Sequence, residues 1–468
     1  MLNKWKQTIS KFVCFVLTCQ LFILTVWAKP DWPSDTGIMA EAGIVMDMDS
    51  GAILYGQNIH LTYPPASITK ILTALIVLEN CNLDDTVTFS TTAVNQVEAD
   101  SGNKISVVAG DQLSVEDCLY SMLLVSCNQA ANALAEHTAG SISAFVNMMN
   151  EKLAQLGCQE SHFENPSGLN GDNQYVSAYD MALIAQAAYD NETLVEISSA
   201  TTHKIAPTTQ NPDGFTIRGE HRLCVTEDPS SPYYYPEAIA GKTGYLIKAG
   251  NTLVTYAVKD NRRLVSVILK GQPRQYFVDG KALLEFGFRS FQNYTIADYE
   301  SRYVTGDETI SLDKGSFRAS DLMIDPDSVV TLPNGASFED ADISLGALPE
   351  ISPENAVALL TYSYNDRVVG TAYLLAKDGV TIDSDDSAAD APSSKSTPSE
   401  PSAGADTDTP RPARSNFSLA GVLVTILIVL LVLAVISLIS WLIYSKKKEA
   451  RALAERRERR RQRLQRSG

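Results

Sequence analysis

Tyr63-Pro-Pro-Ala-Ser-Ile-Thr-Lys-Ile71 is the stretch whose reading decides the fold. Pro64 and Pro65 favour a helix start. Ile71, Leu72, Leu75, Ile76 and Leu78 then recur at helical spacing, which predicts a buried helix. Ser67 and Lys70 stand three residues apart at its head and so share a face. Burial disfavours the ammonium form of a lysine, so Ser67 would have a base within hydrogen-bond reach. The positive end of the helix would favour negative charge developing on the serine oxygen. A serine hydroxyl needs both kinds of help to act as a nucleophile at neutral pH.

Two further strings supply partners for such a pair. Ser126-Cys-Asn128 follows the largely apolar run Leu119–Val125 and opens a second helix over Gln129–His137. A junction between helices points two side chains into a cleft. Ser101-Gly-Asn103 has a similar spelling, but it lies in a polar stretch with no buried helix on either side. Lys242-Thr-Gly244 lies in Gly241–Ile247, which reads as a strand. A phosphate-binding loop ending at Gly241-Lys-Thr243 would need a glycine where Pro236 stands, so nucleotide binding is excluded. Ser445-Lys-Lys-Lys448 repeats the Ser-x-x-Lys spacing in a basic tail, where it carries no weight. Together the three strings provide a nucleophile, a second hydroxyl and two amines for acyl transfer.

With Ala42–Asp47, Asn128–His137, Phe163-Glu-Asn-Pro-Ser-Gly-Leu169 and Ser177–Asp180 added, the chain resembles the low-molecular-mass penicillin-binding proteins, the serine-type D-alanyl-D-alanine carboxypeptidases. The resemblance covers roughly residues 38 to 290. It implies a serine β-lactamase/transpeptidase fold. It also implies a substrate, the D-alanyl-D-alanine end of peptidoglycan stem peptides, and β-lactams as covalent inhibitors. By resemblance Ser67 is the nucleophile, Lys70 its base, and Ser126 with Lys242 the relay to the departing D-alanine. Asn128 would hold the substrate amide. Thr243 and the charge of Lys242 would orient the terminal carboxylate, Gly244 would join them in substrate binding, and the N–H groups of Ser67 and Tyr245 would stabilise the oxyanion. Relatives often carry an arginine before an aromatic-x-acid string. Here Tyr276 precedes Phe277-Val-Asp279, and Arg274 is the candidate to take over carboxylate binding. Cys127 stands where relatives carry a smaller residue, and Gln174 where many carry histidine.

The fold class expected from the pattern is α+β. Ile44–Met48 and Ile53–Tyr55 form a hairpin, a helical middle follows, and strands return from Gly241, with Thr252–Val258 and Leu264–Leu269 turning at Asp260-Asn261. Strands at both ends of a helical centre imply an antiparallel sheet fed from both ends. Ser114 with Asp117 reads as a capping box. The domain organisation expected is a signal peptide at 1–28, the transpeptidase-like domain at 29–290 and a β-rich domain at 291–377. A disordered linker at 378–415, a transmembrane helix at 416–445 and a basic cytoplasmic tail at 446–468 complete it. In the β-rich part Ala358–Tyr364 and Val368–Leu375 form a hairpin around Asn365-Asp366.

Charge and cysteines set the compartment. Phe12–Trp27 is apolar after Lys4, Lys6 and Lys11, as in a secretory signal. Phe417–Tyr444 is free of charge and long enough to span a bilayer, and the basic residues behind it belong on the cytoplasmic side. The net charge of −17 leaves about −28 on the part between signal and tail, which repels nucleic acid and anionic lipid. After removal of Cys14 and Cys19, Cys81, Cys118, Cys127, Cys158 and Cys224 remain, without metal spacing. Five histidines form no His-Glu-x-x-His string, so no metal and no cofactor are expected. Competing readings on the same residues are a D,D-endopeptidase and a β-lactamase, and from another class a non-catalytic cell-wall scaffold. Glu164-Asn-Pro-Ser-Gly-Leu-Asn170 departs from the Glu-x-x-Leu-Asn spacing of a deacylating loop.

Overall fold

Strand β1 (Ala42–Asp47) pairs antiparallel with a strand more than two hundred residues later, and this pairing brings the halves of the chain together. The central sheet contains β1, β2 (Ile53–Gln57), β3 (Ala238–Leu246), β4 (Gly250–Lys259) and β5 (Arg262–Gly271) in the order β2-β1-β5-β4-β3. Ala42 faces Leu269 and Asp47 faces Leu264 across β1 and β5. The β4–β5 turn places Asp260 and Asn261 at φ 51° and 63°. Both central residues are left-handed, as a two-residue hairpin turn requires. This computed structural model describes residues 29–34, 37–98, 101–349 and 352–380.

Both faces of the sheet are covered, which is why its strands read as nearly continuous apolar runs. Alternate residues point to opposite faces. Ile44, Met46, Val265 and Val267 join one core cluster, and Val45, Leu54, Leu264 and Phe286 join another. The first cluster packs under α1 (Lys70–Asn80), α2 (Val115–Leu124), α3 (Asn128–Ala139), α4 (Ile142–Gln155) and α5 (Ala178–Tyr189). The second packs under α6 (Gln275–Ser290). Each fully buried aliphatic side chain here contributes about 1.5–3 kcal/mol. α1 is buried continuously from Lys70 to Val77, so its lysine is taken out of water by the same packing that forms the core.

Only half of the capping box at Ser114 forms. Ser114 Oγ accepts the N–H of Asp117 at 3.0 Å, but the Asp117 carboxylate turns away to His203 Nε2 at 2.7 Å and the N–H of Ala206 at 3.0 Å. A tertiary partner outcompetes the local one. The five cysteines among the described residues are free thiols.

The strands after α6 are β6 (Phe291–Thr295), β7 (Thr309–Leu312), β8 (Gly315–Arg318), β9 (Leu322–Ile324), β10 (Val329–Pro333), β11 (Asp342–Gly346), β12 (Ala356–Tyr364) and β13 (Arg367–Ala376). They form two pairs, β6-β10 and β7-β8, and one sheet in the order β9-β13-β12-β11, with a core around Val330, Leu332, Leu360, Tyr362 and Leu374. The turn of β12–β13 again uses two left-handed residues, Asn365 and Asp366. A buried polar network ties this part to the central sheet. The Arg262 guanidinium donates to Asp47 Oδ2 at 3.1 Å, Asn293 Oδ1 at 3.0 Å and the carbonyl of Phe291 at 2.7 Å. Asn293 Nδ2 donates to Asp47 Oδ1 at 3.3 Å. Trp32 closes the joint by donating Nε1 to the carbonyl of Leu54 and packing its ring 4.9 Å from Phe291.

The expected signal peptide at 1–28, the linker beyond 380, the transmembrane helix at 416–445 and the tail at 446–468 lie outside the described residues. Among the described residues no helix is long and apolar enough to cross a membrane.

Arg262 is the counter-charge of a fully buried Asp47. Arg262→Ala is expected to destabilise the protein by about 3 kcal/mol, because it leaves a buried carboxylate unpaired. Urea unfolding of the two proteins side by side measures this.

Candidate active site

Ala66–Thr69 forms one 3-10 turn that runs directly into α1. Ala66 sits at φ 52°, a left-handed conformation that costs a non-glycine residue about 1–2 kcal/mol. Neighbours hold it there. Thr252 Oγ1 on β4 donates to the carbonyl of Pro65 at 2.9 Å, and Thr69 Oγ1 donates to that of Ala66 at 2.9 Å. β3 crosses close above. A Cβ on Gly244 would stand 2.8 Å from the backbone nitrogen of Ser67 and 2.4 Å from Thr252 Oγ1. Glycine is therefore required for β3 to pass the Ser67 N–H.

Lys70 is fully buried. Its Nζ lies 3.0 Å from Ser67 Oγ and 2.8 Å from Asn128 Oδ1, and it also bonds the carbonyl of Ser167. Burial, reinforced by the charge of Lys242, holds Lys70 well below the usual lysine range. A neutral amine has two N–H bonds and one lone pair. The Asn128 and Ser167 oxygens can only accept, so they take both hydrogens. In that neutral form the lone pair is left for the O–H of Ser67.

The carbonyl of Ser167 is a partner that sequence reasoning missed, because its contribution comes from the backbone. The available signal was the turn-rich Asn165-Pro-Ser-Gly168. Asn165 Oδ1 accepts the N–H groups of Ser167, Gly168 and Leu169 at 3.3, 2.8 and 3.1 Å. Gly168 sits at φ 83°, and a Cβ there would fall 1.9 Å from the carbonyl oxygen of Ala66. Thr73 Oγ1 on α1 donates to the carbonyl of Pro166 at 2.7 Å. Gln174 staples the same loop. It accepts from the N–H of Glu164 and of Asn165 and donates to the carbonyl of Leu169.

Ser126 stands at the α2–α3 junction with φ 62° and lines the cleft. Cys127 is fully buried and contacts Gln129 Oε1 through Sγ at 3.6 Å, so its bulk lies behind the cleft wall. Lys242 on β3 is buried, and its Nζ donates to the carbonyl of Thr243 at 2.9 Å. Burial lowers its pKa to about 8; Glu220 opposes that shift and Lys104 adds to it. Behind the strand, burial takes His221 down to about 4, so the ring is neutral. Gly241 permits its approach, since a Cβ there would meet His221 Nε2 at 2.6 Å.

The cleft above these groups measures about 800 Å3. Ser67, Ser126, Asn128, Thr243, Gly244 and Tyr245 all line it. Lys70 and Lys242 lie beneath, so the structure brings eight of the nine predicted residues together. Arg274 is the exception. It occupies a left-handed turn at φ 65° that caps α6, and the residues α6 presents to the cleft are Tyr276 and Phe277. Arg222, from the short helix Arg222–Val225, lines the cleft, as do Lys104 and Lys248. Among the described residues, no group of three or more His, Cys, Asp or Glu side chains is placed to hold a metal ion.

Comparison with known proteins bears on the same region. The family model of peptidase S11, D-alanyl-D-alanine carboxypeptidase, matches residues 29–272. D-alanyl-D-alanine carboxypeptidase DacB2 of Mycobacterium tuberculosis is 35% identical over 265 residues, 55% of this chain and 84% of that protein. DacF of Bacillus subtilis, also a D-alanyl-D-alanine carboxypeptidase, is 28% identical over 283 residues, 59% of this chain and 69% of that one. A solved serine-to-alanine mutant of the Streptomyces K15 DD-transpeptidase superposes with a TM-score of 0.50 at 26% identity, covering 55% of this chain and 100% of that one. Penicillin binding protein 5 of Haemophilus influenzae shares the fold over 74% of this chain and 98% of its own, with a TM-score of 0.56 at 24% identity. The chain belongs to the D-alanyl-D-alanine carboxypeptidase family of serine peptidases, S11.

Proposed function

We propose that this chain is a serine-type D-alanyl-D-alanine carboxypeptidase that removes the terminal D-alanine of peptidoglycan stem peptides through an acyl-enzyme at Ser67. The observation that carries the reading is the environment of Lys70: its buried Nζ lies within hydrogen-bond distance of two oxygens that can only accept and 3.0 Å from Ser67 Oγ, so the neutral amine has its lone pair to offer to Ser67. Lys70 takes the Ser67 proton as the oxygen attacks the carbonyl of the penultimate D-alanine. The N–H groups of Ser67 and Tyr245 receive the oxyanion, a contact that contributes about 3 kcal/mol per donor in such sites. Asn128 Oδ1 is engaged by Lys70, which leaves its amide N–H2 to hold the substrate. Ser126 and Lys242 return a proton to the departing D-alanine, and Thr243 with the charge of Lys242 orients the carboxylate. Water then releases the shortened peptide.

The position of Glu164 favours this reading over a β-lactamase. It lines a neighbouring groove with Asn95 and Gly171, outside the Ser67 cleft, and bonds Asn173 Nδ2 at 3.3 Å. A penicillin should therefore acylate Ser67 and leave slowly. The cellular setting we infer is the outer face of the membrane: export by residues 1–28, the β-rich residues 291–377 and linker 378–415 as a spacer, and a single span at 416–445.

Incubation with labelled penicillin, followed by peptide mapping, is expected to place one adduct on Ser67, and Ser67→Ala to abolish both the adduct and D-alanine release. No adduct on folded protein, or an adduct elsewhere, ends the reading. Lys70→Ala removes the base and is expected to lower kcat by about 10²–10⁴-fold. Gly244→Ala pushes β3 away from Ser67 and is expected to cost about 10²-fold in kcat/KM. For a free-acid peptide, kcat/KM should fall above pH about 8, where Lys242 loses its proton. Lys242→Arg keeps the charge and should move that alkaline limb upward in a kcat/KM titration.

A further inference from the structure

Segment Gly219–Arg222 links the two walls that carry Ser126 and Lys242. The N–H of Glu220 donates to the carbonyl of Leu124, two residues before Ser126, at 3.2 Å. Next along the chain, His221 Nε2 lies 3.1 Å from the carbonyl of Val254 and 3.1 Å from Thr255 Oγ1. Val254 is the register partner of Lys242. The segment thus runs from the helical wall to the back of the strand bearing the second amine. Ser126 and Lys242 are the groups that serve the departing D-alanine, so the segment stands at the leaving-group end of the cleft.

Its charges are arranged for one kind of visitor. Glu220 is paired with Lys104 Nζ at 3.3 Å, and both residues line the cleft. Arg222 lines it too, with its guanidinium over the Tyr233 ring, 5.1 Å from the centroid. Among the described residues Arg222 forms no ion pair. A planar guanidinium binds a carboxylate through two parallel N–H bonds, and the aromatic face limits the side-chain freedom it must give up on binding.

We propose that residues 219–222 are an exopeptidase stop: they close the leaving-group end of the cleft, and Arg222 reads the free α-carboxylate of the substrate while Lys104 neutralises Glu220. This rests on the carboxypeptidase reading and adds its selectivity. A chain continuing past the scissile bond meets the segment and leaves the guanidinium without an anion. An unpaired Glu220 would repel the carboxylate, and the Lys104 pair removes that repulsion.

The test uses the purified full-length protein and two peptides ending in D-alanyl-D-alanine, one with a free carboxylate and one with a carboxamide. The wild type should prefer the free acid by at least about 10²-fold in kcat/KM. Arg222→Ala should cut that preference at least about tenfold, mainly through KM for the free acid, with the remainder held by Thr243 and Lys242, and leave the carboxamide rate within about threefold. Arg222→Lys should restore part of the preference. Lys104→Ala should raise KM for the free acid alone. Arg222→Gln keeps a planar end over Tyr233 without the charge, and it replaces the alanine variant if that one unfolds. Equal losses on both peptides, or an unchanged free-acid rate, overturn the proposal. If the wild type cleaves neither peptide, or Ser67→Ala cleaves them as well as the wild type, the carboxypeptidase reading itself fails, and the proposal with it.

Discussion

A lysine amine held out of water between two acceptors is the constraint on which the rest of the structure depends. Nothing in a lysine by itself makes it a base at neutral pH. In the proposed mechanism Lys70 becomes one because α1 is buried from its first residue and because Asn128 and the carbonyl of Ser167 occupy its N–H bonds. Desolvation disfavours the ammonium form, and the nearby Lys242 charge acts in the same direction. The proposed base and the hydrophobic core are products of one packing event.

That environment requires three distant segments to meet within hydrogen-bond distance, and each is held by small residues or side-chain ties. Gly168 and Gly244 sit where a single added carbon would strike the Ala66–Ser67 turn. Thr252 ties the Pro65 carbonyl before that turn to the sheet, and Thr73 ties the Pro166 carbonyl of the facing loop to α1. Gln174 performs a similar task in the loop that presents the Ser167 carbonyl. These ties keep Ala66 in its left-handed conformation, with local strain offset by tertiary bonds.

Charge is graded across the cleft. Its floor holds two amines whose basicity is depressed by burial, and its lining holds an exposed Arg222 guanidinium and Glu220 paired with Lys104. Away from the cleft, the Asp47–Arg262–Asn293 network and Trp32 couple the β-rich strands to the central sheet. The outer strands are thus attached through buried polar groups.

Much of this could be read along the chain, wherever the information is local. Helical spacing after Lys70, the hairpin turns at Asp260-Asn261 and Asn365-Asp366, and the helix junction at Ser126-Cys-Asn128 all depend on a few neighbouring residues. That both ends of the chain feed one antiparallel sheet was also legible, from apolar strands flanking a helical middle, although the pairing of β1 with β5 was not. Other features were settled only by contacts between residues far apart in sequence. A backbone carbonyl such as that of Ser167 leaves no side-chain signature, so the second acceptor on Lys70 was invisible. Asp117 looked like half of a capping box until His203 and Ala206 claimed it. Arg274 stood at a plausible distance along the chain, yet it sits in a left-handed turn, and Tyr276 and Arg222 are among the residues that line the cleft. Sequence alone determined which chemistry was present and which elements carried it. Tertiary structure decided which groups share a cleft and which amine loses its proton, because desolvation and hydrogen-bond competition depend on neighbours that only folding brings together.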